Sequence, residues 1–272
     1  MNIKHSQILD KLAAKYLVET MDDDLARLVW LAMTGSANET PQKQLTTILP
    51  KLLLRWDCAL KPSAEKNKKH YRNKALVAMA TLLHKYGFSQ PSITSQAIDA
   101  IDALNKDIVL SDDFERKSIY IKELLQSPPV PLKRRPALPE SITFYRPKDI
   151  IAIELENIFY IAYIHTDTGI NQSPVVEFYE QTFDKVPTLD QLKNTRAIGE
   201  KYSDGTTKIS KFSISGLKYL PDPAGQVTLI ASAIDTPPDN SHLKSPIGLY
   251  SMSDIFEIQT IIKRMFSQGD DK

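Results

Sequence analysis

The side chains best suited to chemistry in this 272-residue chain are five histidines and one cysteine. A transition-metal site needs several His, Cys, Asp or Glu ligands at short, characteristic spacings. No histidine here has such neighbours along the chain, so the sequence predicts no metal site and no cofactor. The five are His5, His70, His84, His165 and His242.

His165 lies in a short run that combines an imidazole, a hydroxyl and a carboxylate, His165-Thr166-Asp167. Such groups transfer protons when they hold hydrogen-bonding geometry with a substrate. The run ends a predicted strand just before Gly169, where polar turn residues are expected on structural grounds alone. We interpret it as a turn. Because the chain also lacks a phosphate-binding glycine loop and a serine-nucleophile motif, we expect a protein that is not an enzyme.

A second group of candidates is the basic run over 61–74, KPSAEKNKKHYRNK. Its lysines and arginine could neutralise phosphates, which is the part of nucleic-acid binding that does not depend on base sequence. A solvated loop between helices explains the same composition, and a basic loop alone does not read bases. Nucleic-acid contact is therefore the alternative and not the first hypothesis. Its candidate residues are Lys66, Lys68, Lys69, Arg72 and Lys74.

The elements that position these groups change in character near residue 130. Over 1–127 the apolar residues recur every three to four positions, which predicts an all-α domain. Pro50 lies within the most apolar segment and lacks an amide donor, so we expect the helix to break near Leu49. The run from Asp22 to Asp24 precedes an apolar helical pattern and predicts a helix N-terminus, where the backbone dipole favours negative charge.

Proline is dense over 128–141, which predicts a linker or a stiff strap. Beyond it the apolar period shortens to two, and Glu156-Asn157 predicts the turn of a β-hairpin. Further strands are predicted over 174–181, 207–215 and 225–235, with a final helix over 251–266. The predicted fold is α+β. Its second domain, 142–272, would be a small, strongly bent antiparallel sheet or an SH3-like barrel with a C-terminal helix.

Charge divides the chain more sharply than its net value of +1 suggests. Residues 1–135 carry a net charge of +6 and residues 136–272 a net charge of −5. This asymmetry permits surfaces of opposite sign that attract different partners. The single cysteine, Cys58, forms no intramolecular disulfide, and no secretory signal or membrane-length apolar stretch is visible. We expect a cytoplasmic protein without membrane association.

The stretch over 145–169, YRPKDIIAIELENIFYIAYIHTDTG, followed by PVVEFYEQTF, resembles the opening of the Imm26-type bacterial immunity proteins. Members of that family are small β-rich domains whose first strand leads through a turn to an aromatic-rich second strand. The resemblance covers the C-terminal half. The matching residues are Pro147, Asp149, Ile150, Ile151, Ala152, Ile153 and Leu155, then Tyr160, Ala162, Tyr163 and Ile164, then Val176, Glu177, Phe178 and Tyr179.

The resemblance implies a protein that binds and neutralises a cognate toxin in the producing cell, with no catalytic group. An acidic second half would suit a basic, nuclease-type toxin domain, because complementary charge speeds and orients association. The first candidates for the toxin-binding face lie on or just after the third strand of that half. They are Glu177, Tyr179, Glu180 and Asp184.

Overall fold

The structure is a computed structural model that describes residues 3–35, 39–140 and 142–267. The chain forms two compact units, Met1–Pro139 and Glu140–Lys272. The first is helical and the second contains the sheet, so the prediction of an α+β fold is confirmed.

Six helices make up the described part of the helical unit. Most of their buried residues are aliphatic, including Leu25 of the second helix and Leu76 of the fourth. Ser111 caps the sixth helix, because its side chain accepts a hydrogen bond from the Phe114 amide. The helices are α1 (His5–Lys11), α2 (Lys15–Gly35), α3 (Pro41–Leu60), α4 (Lys66–Lys85), α5 (Pro91–Lys106) and α6 (Asp112–Gln126).

Two expectations about these helices are wrong. Helix α3 continues through Pro50 without ending near Leu49. Its apolar face holds it in place, with Trp56 fully buried, and packing of that kind outweighs a local propensity penalty. The run from Asp22 to Asp24 lies inside α2 and not at its start. Asp24 is buried there and accepts a hydrogen bond of 3.0 Å from the Trp56 indole.

The proline-rich segment up to Pro139 belongs to the helical unit and forms a strap along it. The Arg135 guanidinium donates to the Thr34 hydroxyl at 3.0 Å, and Arg27 donates to the Pro139 carbonyl at 3.2 Å. Near the end of α4, a Cβ placed on Gly87 would lie 2.7 Å from Cα of Pro131. The backbone of the strap therefore lies so close to Gly87 that a side chain at this position would collide with it.

The second unit contains a six-stranded sheet with the order β7-β1-β2-β3-β6-β8. Strands β1 and β2 form the predicted hairpin, and Glu156 and Asn157 both have positive φ in its two-residue turn. The sheet is mixed, because β8 runs parallel to β6. Its strands are β1 (Ile150–Leu155), β2 (Ile158–Thr168), β3 (Ser173–Phe183), β6 (Phe212–Ser215), β7 (Val227–Ala231) and β8 (Ser251–Asp254), while β4 (Glu200–Lys201) and β5 (Thr207–Lys208) pair separately.

Both faces of the central strands are covered. One face packs against α7 (Glu257–Ser267), where Phe266 contacts the rings of Tyr160 and Phe178. The other face packs under irregular chain, including a 3-10 turn over Leu189–Leu192 whose Leu192 joins the buried cluster. This two-sided burial makes β3 an interior strand over most of its length.

The start of the final helix differs from its predicted position. The chain over 251–254 is the strand β8, and the helix begins at Glu257. Asp254 sets this boundary, since its carboxylate accepts hydrogen bonds of 2.8 Å from the amides of Phe256 and Glu257. A short side chain that satisfies the first free amides of a helix fixes where that helix starts.

Candidate binding surface

A buried polar group in the sheet unit joins β2, β3 and a later loop. Nε2 of His165 lies 2.7 Å from Oε2 of Glu177, and the Asn240 side-chain amide donates to Oε1 at 3.0 Å. The Glu177 side chain is 0% exposed. The imidazole thus pairs with a carboxylate on the neighbouring strand and not with Asp167, its neighbour in sequence.

A histidine held by a buried carboxylate is also how many enzymes orient a general base. Such a base needs a reacting group within hydrogen-bond reach. The nearest aromatic hydroxyl, that of Tyr163, donates to the Ile234 carbonyl at 2.8 Å. Burial raises the pKa of the neighbouring Tyr179 to about 12, with the charge of Glu177 adding to the effect. These hydrogen bonds tie the His165 and Glu177 side chains to neighbouring parts of the protein, and the expectation that the chain is not an enzyme stays a prediction.

The four predicted toxin contacts do not share one surface. Glu177 and Tyr179 are buried, so neither forms part of an outer face. Glu180 is exposed and pairs with Arg196, whose Nε lies 3.2 Å from Oε1, and Asp184 is exposed beyond the end of β3. The prediction assumed that β3 has a solvent face, whereas the loop that carries Asn240 covers it.

Two histidines that are distant in sequence meet in the helical unit. Nε2 of His5 lies 2.8 Å from Nδ1 of His84, whose own Nε2 lies 3.1 Å from the Ser127 carbonyl. Burial lowers the pKa of His5, and His84 and Lys85 lower it further. Across residues 3–35, 39–140 and 142–267, no cluster of three or more His, Cys, Asp or Glu side chains is arranged to hold a metal ion.

The basic run is a helix start and not a loop, because α4 begins at Lys66. Each residue advances a helix by about 100°, so its five candidate cations point in several directions around α4. Three already have partners: Lys68 pairs with Glu65 at 3.0 Å, Lys69 pairs with Asp107 at 3.8 Å, and Arg72 donates to the Leu60 carbonyl at 2.8 Å. Lys74 is partly buried, which lowers its pKa. Contact with nucleic acid stays a prediction. Cations aligned along one side of α4 would support it better than cations that point in several directions.

An exposed apolar surface lies just before the predicted last helix and at its first turn. It consists of the side chains of Ile247, Leu249, Tyr250 and Met252, which we call the apolar patch. Leu249 is 86% exposed, Ile247 71% and Met252 68%. Large apolar side chains exposed together mark a site of interaction more often than single exposed ones do.

The apolar patch leads directly into β8, an end strand of the described sheet. Lysines flank its upstream side: Lys244 pairs in backbone register with Lys208, and the Lys211 carbonyl accepts a hydrogen bond of 2.9 Å from the Ser251 amide. Asp204 lies among them; hydrogen bonds from the Thr206 side chain and backbone lower its pKa, and the positive charges of Lys208 and Lys244 lower it further. The backbones of three lysines therefore lie close to the chain that leads into β8, together with the acidic Asp204.

The sequence holds a signal for this surface that the periodicity reading missed. The run KSPIGLYSM places apolar residues beside proline and glycine, and that combination is typical of a loop and not of a helix interior. The sequence pattern does not show whether an apolar loop packs against the core or faces solvent. Its exposure is therefore evident only from the structure.

Comparison of the chain with protein-family models, with curated proteins and with solved structures returned no match. Among the helices of the described residues, none combines the length and the apolar character needed to cross a membrane.

Proposed function

We propose that this protein binds and neutralises a toxin made by the same cell, as an immunity protein, and that the apolar patch is its main contact. The observation that carries the proposal is that Ile247, Leu249 and Met252 are all largely exposed within one short segment of the chain. Removing each such side chain from water contributes roughly 1.5–3 kcal/mol before the costs of association. Three of them together supply the centre of an interface.

The arrangement of the sheet unit supports a binding role over a chemical one. The buried carboxylate of Glu177 has both of its oxygens in hydrogen bonds within the protein. The resemblance of 145–169 to Imm26-type immunity proteins gives the binding role its biological setting.

The test is protection of cells from the toxin encoded next to this gene. Bacteria that produce that toxin should survive with the wild-type chain and lose protection with Leu249→Glu/Met252→Glu, which places charge in the apolar patch. Ile170→Glu is the matched control, because Ile170 is 83% exposed in the same unit but lies outside the patch. Protection that survives the double substitution, or no protection by the wild-type chain, would contradict the proposal.

A further inference from the structure

Helix α1 is joined to the rest of the helical unit by a contact between two imidazoles. Nε2 of His5 lies 2.8 Å from Nδ1 of His84. On the other side of the His84 ring, Nε2 lies 3.1 Å from the Ser127 carbonyl and 3.2 Å from the Ser127 hydroxyl. A carbonyl only accepts hydrogen bonds, so Nε2 of His84 carries a proton. The Ser127 hydroxyl donates to the Leu124 carbonyl at 2.7 Å and therefore accepts from the same N–H.

These partners fix the protons of the pair. A neutral imidazole has one donor and one acceptor, so Nδ1 of neutral His84 accepts and Nε2 of His5 donates. One added proton fits on Nδ1 of His5, whose side chain is partly exposed, and leaves the hydrogen bond between the rings in place. A second proton, on Nδ1 of His84, would remove the acceptor and set two N–H groups against each other. The contact is therefore compatible with at most one added proton.

The charges that face this contact come from α4 and α2. Burial lowers the pKa of His5 most strongly, and the nearby His84 and Lys85 of α4 lower it further. Asp22 of α2 binds the Lys85 ammonium at 2.7 Å and accepts a hydrogen bond of 2.8 Å from the Tyr86 hydroxyl. Because the pKa of His5 is lowered only while α1 is packed, acid favours the state in which α1 has left its place.

The opposite end of α1 is fastened by a pair that mild acid does not affect. Lys11 pairs with Asp113 of α6, and Lys117 binds the same carboxylate at 3.0 Å. Hydrogen bonds from these two lysines lower the pKa of Asp113 to about 2, so this pair persists well below the pH at which histidine takes up a proton. The remaining charged side chains of α1 and of the last turn of α6 are exposed, namely Lys4, Asp10 and Glu123.

The joint between α1 and α2 is suited to movement. Ala13 has a φ of 47°, in the left-handed region that a residue with a Cβ rarely adopts. The packing of α1 maintains that conformation, with Ile8 and Leu12 both 0% exposed. Once α1 moves, Ala13 can return to an ordinary conformation, and this relaxation favours opening.

We propose that α1 is an acid-released lid on the helical unit: protons added to the His5–His84 pair open its N-terminal end, while Lys11 and Asp113 keep its C-terminal end attached. Opening uncovers the apolar face of α1 around Ile8 and the surface beneath it. Acid thereby adds an apolar surface to the helical unit. The lid lies in a different unit from the apolar patch, and the inference does not depend on the proposed function.

The experiment measures hydrogen exchange of the full-length chain between about pH 7.5 and about pH 5, with rates corrected for the intrinsic pH dependence of amide exchange. We expect the peptide over 3–12 to exchange about tenfold faster at the lower pH. One histidine with an ordinary pKa in the open state allows at most about a thirtyfold rise over this interval. A larger rise would still support the lid and would show that both imidazoles take up a proton on opening.

Urea separates opening of the lid from unfolding of the whole unit. Local opening exposes little surface, so about 1 M urea should change exchange at 3–12 by less than about twofold. Peptides from α5 should exchange more slowly than 3–12 at both pH values and respond more strongly to urea.

Two variants separate the imidazole pair from other effects of acid. His5→Gln keeps an amide that can donate to Nδ1 of His84 but takes up no proton, so the rise at 3–12 should shrink to less than about twofold. His70→Gln is the matched control, because His70 lies at the opposite end of α4 and pairs with Asp107 at 3.0 Å. This variant should keep the rise of about tenfold.

Three exchange results would overturn the lid: no rise at 3–12 in acid, an equal rise in His5→Gln, or exchange of 3–12 at the same rate as α5, which means that α1 opens only with the whole unit. If circular dichroism shows that His5→Gln changes the fold, nitrogen-15 spectra of the wild-type imidazoles decide. At about pH 7.5, His84 should carry its proton on Nε2 alone, and a proton on its Nδ1 would overturn the lid.

Discussion

Replacing Glu177 should reveal a structural role for a residue that the sequence places on a binding face. Glu177 is fully buried and accepts two hydrogen bonds, at 2.7 Å from His165 and at 3.0 Å from Asn240. A hydrogen bond to a charged group contributes about 1.5–3 kcal/mol, and removing one partner of a buried charged pair costs about 3–5 kcal/mol. We therefore expect Glu177→Ala to lower the free energy of unfolding of the sheet unit by about 3–5 kcal/mol.

The matched control is Asn240→Ala, which removes only one of the two hydrogen bonds and should cost about 1–2 kcal/mol. A double-mutant cycle between Glu177→Ala and His165→Ala should give a coupling energy of about 1–3 kcal/mol, because the two side chains contact directly.

The assay must report each unit separately. Both tryptophans, Trp30 and Trp56, lie in the helical unit, so tryptophan fluorescence in urea follows that unit. Hydrogen exchange of peptides from β2 and β3, read by mass spectrometry across the same urea series, follows the sheet unit. A cost below about 1 kcal/mol for Glu177→Ala, or a coupling energy near zero, would refute the buried-pair account.

Further predictions concern the helical unit. Pro50→Ala should raise its stability by about 1–3 kcal/mol in fluorescence-monitored urea unfolding, because α3 continues through a residue that lacks an amide donor; a loss of stability would contradict this. The free energy of unfolding should fall as pH drops below about 6.5. Burial lowers the pKa of His5 in the folded protein, so the unfolded chain binds the proton more readily. His5→Gln should weaken this pH dependence, and an unchanged pH profile in that variant would contradict the role of His5. Gly87→Ala should cost more than Gly205→Ala in thermal unfolding, because both have positive φ but only at Gly87 would the new Cβ meet the strap; equal costs would refute close packing of the strap.

Local sequence signals predicted the elements well where one periodicity dominates. The β1–β2 hairpin follows from alternation around Glu156-Asn157, and the cap of α6 follows from Ser111. Sequence failed where tertiary packing outweighs a local rule. Pro50 stays within a helix because the apolar face of α3 is buried, and Asp24 lies within α2 because Trp56 offers it a buried donor.

The binding surface was harder to predict because it depends on which strands lie at the end of the sheet. Glu177 looks like a solvent-facing residue of an alternating strand, yet a loop beginning more than fifty residues later covers it. Met252 was predicted to lie in the last helix, yet Asp254 delays the start of that helix and leaves Met252 exposed in a strand. Strand order and loop placement are long-range properties that no local pattern encodes.

The most direct test of a toxin-binding role through the apolar patch is the hydrogen-exchange footprint of the full chain in complex with the toxin encoded beside its gene. Slower exchange on binding should centre on residues 246–254. A footprint on the start of α4 or around Glu180 and Asp184, with exchange at 246–254 unchanged, would contradict it.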